Sequence, residues 1–162
     1  MKTLSSTHVL RLPEAKYWAL VFDRNYNNAL YKYVGVKSYK LLELRETPTQ
    51  ILYTSETMPD LSHLPNAIAM LVERYAGYLE RGVFDKKTRI YTFRAEAMGG
   101  KVVTEGRMMC AVQPGVQGIV RRIDARVNAD IPFGGTIEDN ILQGLKESWD
   151  KGAEFTNRYK RA

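Results

Sequence analysis

Alternating hydrophobic and polar side chains predict a strand near the C-terminal end of the chain. From Ile123 to Ile131 every second residue is apolar, and from Arg122 to Asp130 the intervening residues are polar. Successive side chains of a strand point to opposite faces of a sheet. Residues 118–131 therefore predict a strand with one buried face and one face in water.

Shorter apolar runs separated by turn sequences predict the rest of a sheet. One strand is expected over residues 6–12, and residues 36–46 and 50–57 are expected to form a hairpin. Three further runs follow the hairpin: residues 78–84, 88–97 and 102–113. Because the runs are joined by short turns, they predict one long antiparallel meander.

Two short helices are predicted between the first strand and the hairpin. Residues 14–22 follow Pro13, which the start of a helix tolerates. The second helix lies in DRNYNNALYKYVG and ends at Gly35, a usual left-handed helix cap. These helices separate the first strand from the meander.

A third predicted helix interrupts the meander at residues 61–76. Ile68, Leu71, Val72 and Tyr75 recur there at helical spacing. Two interpretations remain open for this insertion. It forms a lid beside a cavity mouth, or, more simply, it packs on the outside of the sheet.

The last segment of the chain predicts a long amphipathic helix. Thr136 and Asp139 have the spacing of a capping box, and Gly134 and Gly135 form the turn before it. At about 100° per residue, apolar residues fall on one side of the helix: Ile137, Ile141, Leu142, Leu145, Trp149, Ala153, Phe155 and Tyr159. We expect this helix to lie on the sheet with its apolar side inward.

Small residues occupy the middle of that apolar side, at Gly144, Ser148 and Gly152. Each interior glycine costs about 1 kcal/mol relative to alanine, so two of them need a compensating reason. Either the helix backbone packs closely on the sheet, or the missing side chains leave room for a ligand. Ala125 and Ala129, on the buried face of the last strand, also leave volume that a core would normally fill.

Length and composition are those of a globular domain. The chain has 162 residues, 44% of them hydrophobic and 26% charged, which predicts a single domain over residues 1–162. No window approaches the roughly 18 apolar residues of a membrane-spanning helix, and the first residues lack a signal peptide's apolar region. We therefore expect a soluble, cytoplasmic protein without a transmembrane segment.

The sequence offers little catalytic or metal-binding chemistry. Cys110 is the single cysteine, and with His8 and His63 it has no metal-ligand spacing. His8 shares the apolar side of the first strand, and Glu138 lies on the apolar side of the closing helix, where stabilising the helix start is its simplest role. We predict no catalytic residue, no metal and no cofactor.

The net charge of +6 favours contact with anionic surfaces. Transient contact with an anionic membrane surface is therefore a predicted interaction. The basic residues are spread along the chain and no RNA- or DNA-binding motif accompanies them. We do not expect nucleic-acid binding.

The order of these elements resembles the START-like helix-grip superfamily of birch pollen allergen, polyketide cyclases and lipid-transfer START domains. The shared order is a strand, two short helices, a long antiparallel meander and a C-terminal helix. The junction DARVNADIPFGGTIEDNI, and HLPNAIAMLV before it, look like those of an uncharacterised bacterial branch of that superfamily. The resemblance implies an α+β fold in which a curved sheet grips the last helix around an apolar cavity, commonly for hydrophobic ligands.

On that arrangement, the inward faces of the strands and of the last helix predict the ligand contacts. The strand residues are Tyr91, Phe93, Met108, Cys110, Ile123, Ala125 and Val127. The helix residues are Ile141, Gly144, Leu145, Ser148 and Trp149. Alternatively, these side chains form an ordinary packed core. Residues 36–57 and 78–84 have apolar side chains at both parities, so their inward faces stay unassigned.

These observations favour a protein that binds a hydrophobic small molecule or lipid between the sheet and the last helix. Transport of that ligand is a further role that the same arrangement would allow. The alternative is a cyclase- or dehydratase-type enzyme acting on a polyketide-like or other apolar substrate in the same cavity. No assembled catalytic constellation supports the enzyme, so the binder is the first hypothesis.

Overall fold

A computed structural model describes residues 1–73 and 76–159, apart from the side chains of Leu71 and Val72. The strands are β1 (Lys2–Leu10), β2 (Ser38–Glu46), β3 (Gln50–Met58), β4 (Tyr78–Asp85), β5 (Ile90–Ala97), β6 (Val102–Ala111) and β7 (Ile119–Ala129). The α-helices are α1 (Glu14–Val21), α2 (Arg24–Val34), α3 (Asn66–Glu73) and α4 (Gly134–Arg158). A single 3-10 turn at Met98–Gly100 joins β5 to β6.

The strands form one antiparallel sheet in the order β1-β7-β6-β5-β4-β3-β2. From β2 to β7 each strand pairs with the next one along the chain, whereas β1 pairs with β7. Helix α4 packs on β1 and β7, and α2 packs on α4. A curved sheet holding one long helix is an α+β helix-grip fold, which confirms the predicted fold class.

A packed aromatic core fills one end of the inner sheet face. The ring of Trp18 in α1 lies 4.5 Å from that of Phe84 in β4, and Phe22 lies 5.4 Å from the same ring. Leu10 and Ile119, which pair across β1 and β7, are almost fully buried in this cluster. Close packing at this end leaves the space beneath α4 farther along the sheet.

The strands keep the predicted order, and some of their ends differ. β1 runs from Lys2 to Leu10, so the predicted range of residues 6–12 began and ended too late. β5 begins at Ile90 instead of Thr88. Asp85 explains this difference, because its carboxylate accepts two backbone N–H groups of the preceding turn and holds that turn out of the strand.

The start of α4 differs from the prediction in a way that involves the double glycine. The helix begins at Gly134 and is preceded by Phe133 in the left-handed conformation, with a φ of 62°. A Cβ at Gly134 would collide with the carbonyl oxygen of Ala129. Gly134 and Gly135 are thus the first turn of the helix, and the predicted capping box with Thr136 as N-cap is wrong.

The helical insertion predicted within residues 61–76 is confirmed by α3. The backbone N–H groups of Ile68 and Ala69 both bind the carbonyl oxygen of Pro65, which starts the helix. Tyr75, which the same spacing included, lies outside the described residues.

Candidate ligand-binding cavity

A cavity of about 520 Å³ lies between the inner sheet face and helices α2 and α4. Its strand wall extends from Arg121, next to the packed core, to Val102, which pairs with Ala129 at the other end of β7. Close-packed interiors contain few voids larger than a water molecule. Ligand sites commonly measure roughly 300–1,000 Å³, so this space has the size of a ligand site.

The two interior glycines of α4 have different surroundings. A Cβ added at Gly144 would meet no atom within 4 Å, and this glycine lies on the cavity wall. A Cβ added at Gly152 would lie 3.6 Å from Cδ1 of Leu30. Gly144 therefore faces open space, whereas Gly152, which also lines the cavity, faces α2 at an ordinary van der Waals distance.

Glycines in two strands allow aromatic rings to lie across the sheet. A Cβ at Gly82 of β4 would overlap the phenol of Tyr91, and a Cβ at Gly106 of β6 would overlap the ring of Phe93. Both rings line the cavity. Because Gly82 and Gly106 have no side chains, the rings of Tyr91 and Phe93 can lie across β4 and β6 on the cavity wall.

Glu80 places an acidic group on the cavity wall. Its Oε1 accepts a 2.8 Å hydrogen bond from the hydroxyl of Tyr91, the ring that crosses Gly82. Burial raises the pKa of Glu80 above its usual value, and the hydrogen bond from Tyr91 opposes part of that rise. The carboxyl group is therefore more readily protonated than a carboxyl group in water.

Three tyrosines connect the strands near Glu80 to α2. The hydroxyl oxygens of Tyr39 and Tyr53 are 2.5 Å apart, and the ring of Tyr31 stacks on Tyr39 at 4.0 Å. Burial raises the pKa of all three phenols, so they stay neutral. Tyr31 and Tyr53 also lie on the cavity wall and add polar hydroxyl groups to a mostly apolar lining.

Arg121 is a buried cation at the core end of the cavity, with 5% of its surface exposed. Its Nη1 donates to the hydroxyl of Tyr17 at 3.0 Å, and its Nη2 donates to Nδ1 of His8 and to the carbonyl oxygen of Trp149, each at 3.0 Å. Its guanidinium carbon also lies 5.8 Å from the centre of the Tyr17 ring. These contacts fix the guanidinium between β1, β7, α1 and α4.

His8 links this arginine to a carboxylate at the surface. Because Nδ1 accepts from Arg121, the ring proton lies on Nε2, which donates to Oδ1 of Asp150 at 2.8 Å. Burial lowers the pKa of His8 most strongly, and the Asp150 hydrogen bond opposes that effect. His8 is therefore a neutral acceptor for Arg121. Its position opposite Arg121 on the inward side of β1 brings the two side chains together.

The structure brings nine of the twelve predicted contact residues to the cavity wall. They are Tyr91, Phe93, Met108, Ile123, Ile141, Gly144, Leu145, Ser148 and Trp149. They come from β5, β6, β7 and α4, so the inward parity predicted for these elements is the one that faces the cavity.

Cys110, Ala125 and Val127 do not lie on the cavity wall. Ala125 and Val127 are buried on the inward side of β7, the strand on which α4 packs, and neither lines the cavity. Cys110 packs against the core cluster beyond the end of the cavity, and burial raises the pKa of its thiol to about 12. The structure therefore places these three predicted contact residues off the cavity wall, although the parity of their strands points inward.

Arg121 and Glu80 are among the charged wall residues that sequence reasoning missed, together with Asp60, Glu147 and Lys151. The alternation that placed Ile123 inward also places Arg121 inward, but its basic character suggested the solvated surface. Glu80 lies in residues 78–84, where both parities carry apolar side chains. The register shows that Tyr78, Glu80, Gly82 and Phe84 share the inward side of β4.

Glu138, the other candidate acid, lies outside the cavity. It is buried, and its Oε1 accepts the backbone N–H of Ala129 at 3.0 Å. That hydrogen bond holds the pKa of Glu138 below its usual value. The residue therefore joins the first turns of α4 to the end of β7.

The insertion around α3 contributes to the cavity. Leu61, Leu64 and Ile68 lie on its wall. The insertion therefore covers part of the cavity, and does not pack only on the outside of the sheet as the simpler interpretation held.

The described residues lack two other kinds of feature. They contain no group of three or more histidine, cysteine or acidic side chains placed to hold a metal ion. Within the same part of the chain, no helix is long and apolar enough to cross a membrane.

Fold and cavity together define a helix-grip protein with an internal site of small-molecule size. The chain belongs to the family described as protein of unknown function (DUF2505), whose model matches residues 5–159. No curated protein matches the sequence significantly.

Solved structures share this fold at low sequence identity. TTHA0849 from Thermus thermophilus has a TM-score of 0.69 and 15% identity, covering 96% of this chain and 97% of that one. Norcoclaurine synthase from Thalictrum flavum has a TM-score of 0.62 and 12% identity, covering 98% and 87%. CV1439 from Chromobacterium violaceum has a TM-score of 0.57 and 14% identity, covering 98% and 100%. At these identities the likeness concerns the fold alone.

Proposed function

We propose that this protein binds a hydrophobic small molecule or lipid in the cavity between the sheet and α4. The observation that supports the proposal best is the open space at Gly144. A helix keeps a costly interior glycine there, although no neighbouring atom requires it. Room for a ligand supplies the compensating reason.

The character of the walls supports a hydrophobic ligand. Aliphatic and aromatic side chains dominate, including Ile141 and Leu145 on the helix and Tyr91 and Phe93 on the sheet. Apolar pockets with a few polar groups are the usual form of small-molecule sites. Here the polar groups include the tyrosine hydroxyls, Glu80 and Arg121.

The element order and the junction before α4 support membership of the START-like superfamily, within the bacterial branch named above. In this view the single domain acts as a binder or carrier, and its basic surface helps it meet anionic membranes. The cyclase- or dehydratase-type alternative stays a prediction. His8 and Glu138 are held by Asp150 and Ala129 and do not line the cavity, whereas the carboxyl group of Glu80 does.

Native mass spectrometry of freshly purified protein tests the proposal first. A stoichiometric apolar adduct, extracted with solvent and identified, is the expected result. An apo mass, together with no uptake of any compound in a panel of fatty acids, fatty alcohols and sterols, would contradict the proposal.

Replacing Gly144 with leucine should fill the cavity while the fold stays intact. Uptake of the identified compound, or of Nile red as a neutral probe, should fall by at least tenfold, since a leucine side chain would occupy ligand volume. Fluorescence titration measures uptake and circular dichroism checks the fold.

Gly135→Leu is the matched control, because a Cβ at Gly135 also meets no atom within 4 Å but this exposed glycine does not line the cavity. It should bind the probe as the wild type does. Equal uptake by Gly144→Leu and the wild type would contradict the assignment of this space to a ligand.

A further inference from the structure

Arg121 is a buried cation whose known partners are all neutral. They are a phenol, an imidazole that accepts through Nδ1, and a backbone carbonyl. Its Nε has no hydrogen-bond partner although it is buried. Among the described residues, no carboxylate lies within 4 Å of the guanidinium.

A buried guanidinium without a charged partner is energetically unfavourable. Arginine keeps its charge in proteins, and a buried charge normally has a charged partner, because desolvation is costly. Neutral acceptors orient the guanidinium without neutralising it. An anion supplied from the cavity side, where Arg121 lies on the wall, would provide the missing charged partner.

The carboxyl group of Glu80, on the cavity wall, is too far away to be that partner. In the sheet register, the row of Glu80 meets β7 at Val127, six residues from Arg121 and three strands across. With strands about 4.8 Å apart and about 3.3 Å per residue, the two backbones are roughly 25 Å apart along the sheet. Arg121 and Glu80 therefore mark opposite ends of the cavity.

The surroundings of Arg121 define what the anion is attached to. Met108 and Ile123 beside it are apolar, and the cavity continues along α4 from Trp149 towards Ile141. We infer that the ligand is an apolar monocarboxylic acid, with its carboxylate on Arg121 and its hydrocarbon body along α4. This inference rests on the proposed function and narrows it to one class of ligand.

A matched pair of probes tests the inference on the wild-type protein. Calorimetric titration at pH 8 with decanoate and with 1-decanol compares a carboxylate and an alcohol on the same hydrocarbon chain. Decanoate should bind roughly 10- to 100-fold more tightly, the effect of a hydrogen-bonded charge pair. Equal binding of both probes would overturn the carboxylate assignment and leave the proposed hydrophobic site standing. Binding of neither probe would also overturn the inference, whereas the proposed function is tested separately by native mass spectrometry and the wider panel of compounds.

Arg121→Met and Arg122→Met separate the cavity charge from general basicity. Arg122 is the next residue along β7 and is exposed on the opposite sheet face. Arg121→Met should lose the preference for decanoate while keeping its affinity for 1-decanol, and Arg122→Met should keep both. A decanoate preference that persists in folded Arg121→Met would overturn the inference.

A direct measurement covers the case in which Arg121→Met does not fold. The arginine Nε–H signals in the ¹H–¹⁵N spectrum of the wild type can be followed during titration with each probe. Decanoate should shift one buried Nε–H signal, which the spectrum of Arg121→Lys would lack, and 1-decanol should leave it in place. If decanoate binds without shifting any Nε–H signal, Arg121 has a purely structural role between β7 and α4.

Discussion

Single buried side chains link the stability of this fold to pH, and His8 is the clearest example. Its side chain is 10% exposed and lies between Arg121 and Asp150. Burial holds the pKa of His8 below 6.5, the value of the unfolded chain. As the pH falls, the unfolded chain takes up the proton first. Protonation therefore favours unfolding in the range from pH 6.5 down to the folded pKa.

We expect the free energy of unfolding to decrease between pH 6.5 and pH 5 because of His8. The variant His8→Asn keeps an acceptor for Arg121 but cannot titrate, so its unfolding free energy should change less over this range. Urea denaturation at several pH values measures the difference. The pKa of Asp150 is held below 3.8, so that carboxylate does not titrate in this range. Parallel curves for wild type and His8→Asn would show that His8 does not control the dependence.

Glu80 changes the pH dependence of stability in the opposite direction to His8. For this reason the test compares the wild type with His8→Asn and does not rely on the wild-type denaturation curves alone. Burial raises its pKa above 4.5, so the folded state holds the proton longer than the unfolded chain. Its contribution to stability is therefore lost as the pH rises from 4.5 through the folded pKa. The difference between the wild type and His8→Asn cancels this effect.

Within single strands and helices, small residues have roles that depend on what faces them. Gly82 makes room for the phenol of Tyr91 within β4, whereas Gly144 faces open space within α4. The same substitution should therefore have opposite effects in the two elements.

Gly82→Ala should lower the free energy of unfolding by about 1–3 kcal/mol, the usual cost of overpacking, because Tyr91 must move away from Glu80. Gly144→Ala should raise it by up to about 1 kcal/mol through helix propensity. Chemical denaturation of the two variants beside the wild type measures both effects. Two variants with the same sign would contradict this account of the glycines.

Sequence patterns predicted elements well where one parity was clearly apolar. Strand β7 alternates without interruption, so its inward face could be read, although the same rule should have included Arg121. β2 could not be read in this way, because a bulge between Leu41 and Glu43 changes which parity faces inward. The start of α4 was not predicted because it depends on a close contact between Gly134 and Ala129, which belongs to β7.

The site was predictable to the extent that it follows from strand direction and helix periodicity. The limits of the cavity depend on how α4 packs on β1 and β7, and Ala125 and Val127 are buried on β7 without lining the cavity. Contacts between elements that are distant in the sequence set these limits, and local sequence patterns do not predict such contacts. The charged ends of the cavity were missed for related reasons, since Glu80 belongs to a strand with apolar residues at both parities.

The molecule as a whole has a basic outer face on its sheet. Glu105 binds both Arg94 and Arg126, and Asp124 binds Arg122 at 3.0 Å and lies 3.5 Å from Arg107. Each of these carboxylates is shared by two arginines. Arg94 also binds Glu96, which lies 3.9 Å from Arg81, so five arginines share three carboxylates in this network. This excess of positive charge agrees with the net charge of +6.

We expect weak, salt-dependent binding to anionic vesicles. The protein should sediment with phosphatidylcholine vesicles containing phosphatidylserine at 20 mM salt, and binding should be lost at 500 mM because salt screens exposed charges. Vesicles of phosphatidylcholine alone are the control. Absence of binding to the anionic vesicles at low salt would rule out the predicted membrane contact.

The pairing of β1 with β7 has a consequence for how the protein is made. The first strand finds its partner 109 to 125 residues later, as in the contact of Ser5 with Asp124. Long-range pairing slows folding, because a long loop must close before its contacts form. On the ribosome, β1 must wait with an unpaired edge until β7 has been synthesised. A chain interrupted before Ile119 would expose the edges of both β1 and β6, which are templates for aggregation.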